Sequence, residues 1–207
     1  MEQKDKHAIT LYWNLLSQPS RTVKALLLVG NVPHNEEHID LFAGQQHSAE
    51  FKTNINPRGL VPVIKDGDFA VSESNAIMKY LCSTQEGIPY HYWPKDANVR
   101  AHIDQFLEYQ QNHFRPSLGG PFWKILGAKF FGRPFEEAEL KQVIEIFWKE
   151  LDTLEVYLGQ HEGDFIVGKE PTIADIQLYS DFTLLYNAKL DQEFEDSTKY
   201  QSQGQSK

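Results

Sequence analysis

The sequence predicts a two-part protein, an α/β domain of element order βαβαββα followed by an all-helical domain. Three observations predict it. Up to residue 83, short strand-like runs take turns with helix-spaced ones. Near the end of that stretch, "VPVIKDGDFAVSES" joins two β-rich runs through Asp66-Gly67-Asp68, a strong hairpin signal. Beyond residue 97 nothing alternates for long, and three segments carry apolar residues at three- and four-residue spacing.

The elements follow in order. "AITLY" (8–12) alternates and is bounded by polar residues, so it reads as a strand. "PSRTVKALLLVG" (19–30) reads as a helix, with Pro19 in its first turn and Gly30 as its stop. "PHNEEHID" (33–40) suits an edge strand, and "HSAEFKTN" a short helix beginning at Ser48. After the hairpin, "ESNAIMKYLCS" returns to helical spacing, with Ala76, Ile77, Tyr80 and Leu81 on one face. Residues 84–96, rich in Pro, Gly and aromatics, read as a linker that packs against something. The helical domain then runs over 97–200, through "ANVRAHIDQFLEYQQNHF", "EEAELKQVIEIFWKELDTLEVYL" and "PTIADIQLYSDFTLLYNAKL". The last opens on a Thr172-x-x-Asp175 capping box. The polar tail 201–207 is expected to be disordered.

Composition bounds the function. With 207 residues, 41% hydrophobic and 13% aromatic, the chain has ample material for a core. A formal net charge of -9, with no concentrated basic face, argues against a nucleic-acid partner. The single cysteine, Cys82, excludes an internal disulfide framework and any multi-cysteine metal site. The N-terminus carries neither a signal-peptide nor a presequence pattern, and no apolar run approaches the roughly 20 residues of a membrane span. A soluble, cytoplasmic protein without a metal is expected.

Three stretches can carry chemistry. Ser17 stands just before a helix start, where unpaired N–H groups and partial positive charge favour an anion; the hydroxyl adds a donor. Ser17 or Ser20 also suits a plain N-cap. Val61-Pro62 opens a strand, and local sequence leaves its peptide bond cis or trans. If cis, the backbone of Val61 is free to pair with an extended peptide. Glu73 and Ser74 stand where a strand becomes a helix: the serine and the free N–H groups suit a carboxylate, the glutamate an ammonium group, and capping is the plainer alternative. All three lie at strand C-terminal edges of one α/β unit, where ligands collect. Together they describe a site for a short peptide bearing a thiol, an amine and carboxylates.

"LLSQPSR", "GQQHSAEF", "INPRGLVPV", "KDGDFAVSESNAI", "YWPKD" and "GKEPTIADIQ" occur in the order and spacing of the cytosolic glutathione transferases, and the chain resembles their theta class from about residue 9 to about 200. The resemblance implies a thioredoxin-like N-terminal domain, an all-helical C-terminal domain, a homodimer and a cis-proline at Pro62. It implies glutathione as co-substrate, with Ser17 hydrogen-bonding its sulfur, Val61 pairing with the cysteinyl unit, and Glu73 with Ser74 holding the γ-glutamyl end. Asn112 and Arg115, in "QQNHFRPS", are placed near the dimer-facing helix, where they line the electrophile pocket or reach the partner's glutathione.

Three departures stand out. Gln46, beside His47, replaces a residue that is often basic in the class, and Leu60 replaces a lysine; both family residues contact the glycyl carboxylate. Losing such a charge-assisted bond costs about 1.5–3 kcal/mol, which Arg58 or His47 would have to offset. Theta proteins also continue past the point where this sequence ends, with helices covering the active site, so a more open and wetter site is expected. Two functions follow: conjugation of the glutathione thiolate to small electrophiles (alkyl or aryl halides, epoxides, organic hydroperoxides), or a weakly active or inactive module used in binding or protein assembly. A disulfide exchanger is set aside, because position 17 is serine and Cys82 lies far along the chain.

Overall fold

The computed structural model describes residues 8–132, 136–160 and 162–187. By backbone proximity they form two units, one from residues 8–107 with 162–180, the other from 108–132 and 136–160 with 181–187.

The first unit is built on a four-stranded mixed sheet. Strand β1 (Ile9–Trp13) turns Ile9, Leu11 and Trp13 into the core and leaves Thr10 and Tyr12 half-buried, the period of a strand with one face covered. Helix α1 (Gln18–Val29) crosses over to β2 (His34–His38), which pairs parallel to β1 at the edge of the sheet. Helix α2 (Ala49–Asn54) follows, capped by the Ser48 hydroxyl, which accepts from the Phe51 N–H at 3.1 Å. The hairpin β3 (Val63–Asp66) and β4 (Phe69–Ser72) completes the order β2-β1-β3-β4, with β3 antiparallel to both neighbours. Gly67, at φ 60°, supplies the left-handed residue of the tight turn. Helix α3 (Ser74–Thr84) closes the motif and packs on α1.

One predicted face shifts. α3 buries Ser74, Ile77, Met78 and Leu81, while Ala76 is exposed and Tyr80 half-buried. The i, i+3, i+4, i+7 stripe passes through Met78, because the larger side chain removes more apolar surface from water. Tyr80 instead donates its hydroxyl to Asp66 Oδ2 at 2.8 Å and packs its ring 5.0 Å from Phe69.

α1 is tied to the sheet edge by charge. The Lys24 ammonium lies 2.5 Å from Glu36 Oε1 and 2.7 Å from His34 Nε2, while His34 Nδ1 faces the Val32 carbonyl. Because a carbonyl only accepts, the His34 proton sits on Nδ1 and Nε2 accepts from the ammonium. Burial pushes the Glu36 carboxyl up, but the hydrogen bond and charge of the Lys24 ammonium outweigh it, and the group titrates below its ordinary value.

The linker packs closely. Ile88 and Tyr92 are buried, and a Cβ on Gly87 would sit 2.2 Å from the Gly30 carbonyl oxygen, so only glycine allows the chain to pass the end of α1. Trp93 lies under two cations, Lys79 at 5.4 Å and Arg100 at 4.9 Å. Helix α4 (Ala97–Tyr109) buries Ile103, Phe106 and Leu107.

In the second unit a wide helical turn of five residues, Gln110–Phe114, leads into α5 (Arg115–Phe131) and then α6 (Glu137–Leu158). Pro116 has no N–H to return to the preceding turn, and the widened turn before it accommodates that missing donor. The spacing in the sequence marks a helix only over 97–114 and none over 115–131. Gly119, Gly120 and Pro121 break the local signal, yet α5 continues because it packs along α6. Tyr109 stacks on Tyr157 at 4.5 Å, and Phe114 packs between Phe147 and Phe182. Helix α7 (Ile173–Asn187) begins with the expected box: Thr172 donates its N–H to Asp175 Oδ2 at 2.7 Å, and its Oγ1 accepts from Ala174. The tail 201–207 lies outside the described residues.

The burial of α3 predicts unequal substitutions. Ile77→Ala should destabilise by about 2–5 kcal/mol, and Ala76→Ser by no more than about 0.5 kcal/mol. Urea denaturation measures both, and equal losses would mean that the helix presents a different face.

Candidate functional site

Ser17 is the N-cap of α1. Its extended backbone (φ −82°, ψ 113°) precedes the helix, and its half-buried Oγ accepts from the Ser20 N–H at 3.4 Å. The same hydroxyl donates to the Val61 carbonyl, also at 3.4 Å. Both contacts are at the outer limit of hydrogen bonding, so the hydroxyl is held weakly. A nearby anion would offer it a shorter, charge-assisted bond. Ser20 supplies only its backbone donor: its own Oγ is buried without a partner. Asn14 shapes the turn before the helix, giving Nδ2 to the Ile39 carbonyl at 2.7 Å and taking the Leu16 N–H on Oδ1 at 2.9 Å.

The Val61-Pro62 bond is cis. The ladders of β3 stop at Val63, paired with Tyr12 on one side and Ser72 on the other, so the backbone of Val61 lies two residues beyond any strand partner; it stands at the N-terminal end of β3, not at the expected strand C-terminal edge, because β3 runs antiparallel to β1. The turn leading to it is pinned by Asn56, a buried side chain that sequence reading passed over. Its Nδ2 donates to the Leu60 carbonyl at 2.9 Å, and its Oδ1 accepts the Arg58 N–H at 3.0 Å. Gly59, at φ 65°, brings this turn against the loop of Gln46 and His47: a Cβ there would lie 2.8 Å from the Gln46 carbonyl oxygen and 3.0 Å from His47 Nδ1. Leu60 is 45% exposed and Gln46 Oε1 is buried without a partner, so neither position brings a cation.

Glu73 sits at φ 70° and makes no side-chain cap to α3. Its carboxylate instead pairs with Arg58, Nη1 to Oε1 at 2.7 Å. Ser74 is buried, and its Oγ accepts from Gln177 Nε2 at 3.4 Å. Gln177 reaches Ser74 from 103 residues away, and no local signal marks it.

Asn112 and Arg115 belong to the second unit. Asn112 donates to the Glu108 carbonyl at 2.9 Å and borders a cavity of about 300 Å³ with Pro116, Gly120, Val143 and Ile146. Arg115 pairs through Nε with the fully buried Asp181 at 3.4 Å and through Nη1 with Gln111 at 2.8 Å. Gln110 Nε2 also donates to Asp181. Among the described residues, no group of three or more His, Cys, Asp or Glu is arranged to hold a metal, and no helix is long and apolar enough to cross a membrane.

Comparison with known proteins identifies the family. The family model for the glutathione S-transferase N-terminal domain matches residues 11–89, and that for the C-terminal domain matches residues 126–202. Glutathione S-transferase T1 of Arabidopsis thaliana is 33% identical over 82% of this chain and 69% of its own length. Human glutathione S-transferase T1-1 superposes with a TM-score of 0.81 at 30% identity, covering 88% of this chain and 75% of that one. The chain belongs to the glutathione S-transferase family, and these relatives are of its theta class. The chain spans about 30% of the length of Arabidopsis glutathione S-transferase T3, which is 33% identical over 86% of this chain. The thioredoxin-like domain and the helical C-terminal domain expected from sequence are therefore those of the family.

Burial pushes the Cys82 thiol up to about 12, which removes it from thiolate chemistry near neutrality. Alkylation of the native protein by iodoacetamide should be negligible at pH 8 and should rise about tenfold per pH unit. Rapid labelling of the folded chain at pH 8 would contradict that environment.

Proposed function

We propose that the protein is a theta-type glutathione transferase that binds glutathione in the first unit and joins its sulfur to a small electrophile. The observation carrying this reading is the Ser17 hydroxyl, half-buried at the start of α1 and held by only two long contacts. Ser17 donates to the sulfur; the helix end adds partial positive charge, and the thiol proton leaves to solvent. The thiolate then attacks an electrophilic carbon. A C–S bond forms, and the bonding pair departs with the leaving group or moves onto the neighbouring atom of an activated double bond or epoxide.

Within this proposal the backbone of Val61, placed by the cis Pro62, pairs with the cysteinyl unit, and Ser20 fixes the cap. Glu73 takes the γ-glutamyl ammonium and Ser74 its carboxylate, while Gln46, His47 and Leu60 border the glycyl end. A human theta-2 enzyme solved with glutathione, with a TM-score of 0.78 at 30% identity, supports the ligand. A human theta enzyme solved with the glutathione conjugate of 1-menaphthyl sulfate supports the reaction class. Asn112 and Arg115 are given no step in this proposal; they bond within the second unit, to Glu108, Gln111 and Asp181. The reading includes a homodimer, a cytoplasmic location and domains at 1–83 and 97–200 joined by a linker over 84–96. The alternative, a weakly active binding module, is favoured by one arrangement: Glu73 already holds Arg58, while Leu60 and Gln46 bring no cation.

Ser17→Ala separates capping from chemistry. It should lower stability by about 0.5–1 kcal/mol, as other N-cap losses do. It should also reduce conjugation of an aryl or alkyl halide by about 10²-fold, as does removal of one donor to a developing charge. Unchanged turnover in this variant would end the role of Ser17, and no turnover in the unaltered protein would favour the binding module.

A further inference from the structure

We propose that Arg58 is an exchangeable counter-ion that sets ligand specificity: the ligand's ammonium displaces it from Glu73, and the freed guanidinium takes the carboxylate at the ligand's other end. This rests on the glutathione reading above and goes beyond it by giving Arg58 two successive partners.

The pair is built to exchange. Arg58 and Glu73 are 65% and 54% exposed, so their 2.7 Å contact lies in water. An ion pair of that kind shifts an equilibrium by about fivefold at most. Glu73 has no capping duty that would hold its carboxylate in place. The two ends of the Arg58 side chain are anchored differently. Its backbone is fixed at the Leu60 end of the site, through Asn56 Oδ1 and through the contact of Gly59 with the Gln46–His47 loop. Its guanidinium reaches the opposite end, at Glu73.

Neither Leu60 nor Gln46 supplies a cation to the glycyl end. A ligand carrying both an ammonium and a distal carboxylate exchanges one internal ion pair for two external ones. A ligand with the ammonium alone leaves a displaced guanidinium without a partner. Arg58 thereby selects for a charged C-terminus, although no basic side chain occupies position 46 or 60. Lys52 lies beside the same turn and is the competitor to test: a Cβ on Gly59 would lie 3.1 Å from Lys52 Cε.

The test is calorimetric titration of the full chain with glutathione and with its glycyl ethyl ester, which removes only the distal charge. Wild type, Arg58→Met, Lys52→Met and Glu73→Gln are compared. The wild type should prefer glutathione by about fivefold. The preference should fall to within about twofold in Arg58→Met and persist in Lys52→Met, while the bulk of the ester cancels between variants. A preference retained in Arg58→Met, lost in Lys52→Met or absent from the wild type would overturn the exchange alone. Weakened binding of both ligands by Glu73→Gln supports the site itself. No glutathione binding by the wild type would overturn both readings.

Discussion

The candidate site depends on where one ladder stops. β1 and β3 run antiparallel, with Leu11 opposite Ile64 and both fully buried, so the register is fixed by the core. Their last pair is Tyr12 with Val63. Past it, one chain turns into α1 and the other ends at the cis Val61-Pro62 bond. The C-terminal end of β1 and the N-terminal end of β3 are therefore held side by side, and a half-buried hydroxyl at a helix start comes within 3.4 Å of a backbone carbonyl. A one-residue slip in this pairing would turn Leu11 and Ile64 out of the core and move Ser17 from Val61.

Much of this was legible in the sequence because it is written locally. The alternation of residues 8–12, the Gly67 turn, the Ser48 cap and the Thr172–Asp175 box each depend on residues within a few positions of one another. The wrong readings have equally physical origins. Local spacing around 76–78 fits either of two helix faces, and only the packing of α3 on α1 chooses Met78 over Ala76. In α5 two glycines and a proline outvote the helix locally, and contact with α6 restores it. At the candidate site, the local settings of Ser17, Val61, Glu73 and Ser74 were legible: two helix starts and the turn before a strand. The side chains that surround them were less so: Arg58 was noticed, but without its partner 15 residues on, while Asn56 and Gln177 act through turns and distant contacts that no spacing encodes.

The electrostatics of the site fall into two parts. Around Ser17, the groups able to stabilise an anion are dipolar: a hydroxyl, a helix end and backbone groups beyond the ladder. At the peptide ends the means are full charges, and there the chain departs from the expected arrangement, with a neutral amide at 46, an exposed leucine at 60 and an arginine at 58 paired to the very glutamate a ligand amine would need. Cys82, with its thiol pushed up by burial, offers no competing nucleophile near neutrality. The proposed chemistry therefore rests on a thiol that the ligand would bring.

The most direct measurement is the ionisation of that thiol in the complex, followed by the ultraviolet absorbance of the thiolate as pH is raised, in wild type and in Ser17→Ala. Stabilisation by Ser17 and the α1 terminus predicts that bound glutathione ionises below the ordinary thiol value of about 8.5 and returns toward it in Ser17→Ala. An ionisation that is ordinary in the wild-type complex, or depressed equally in the variant, would contradict the central claim that the Ser17 hydroxyl stabilises the thiolate.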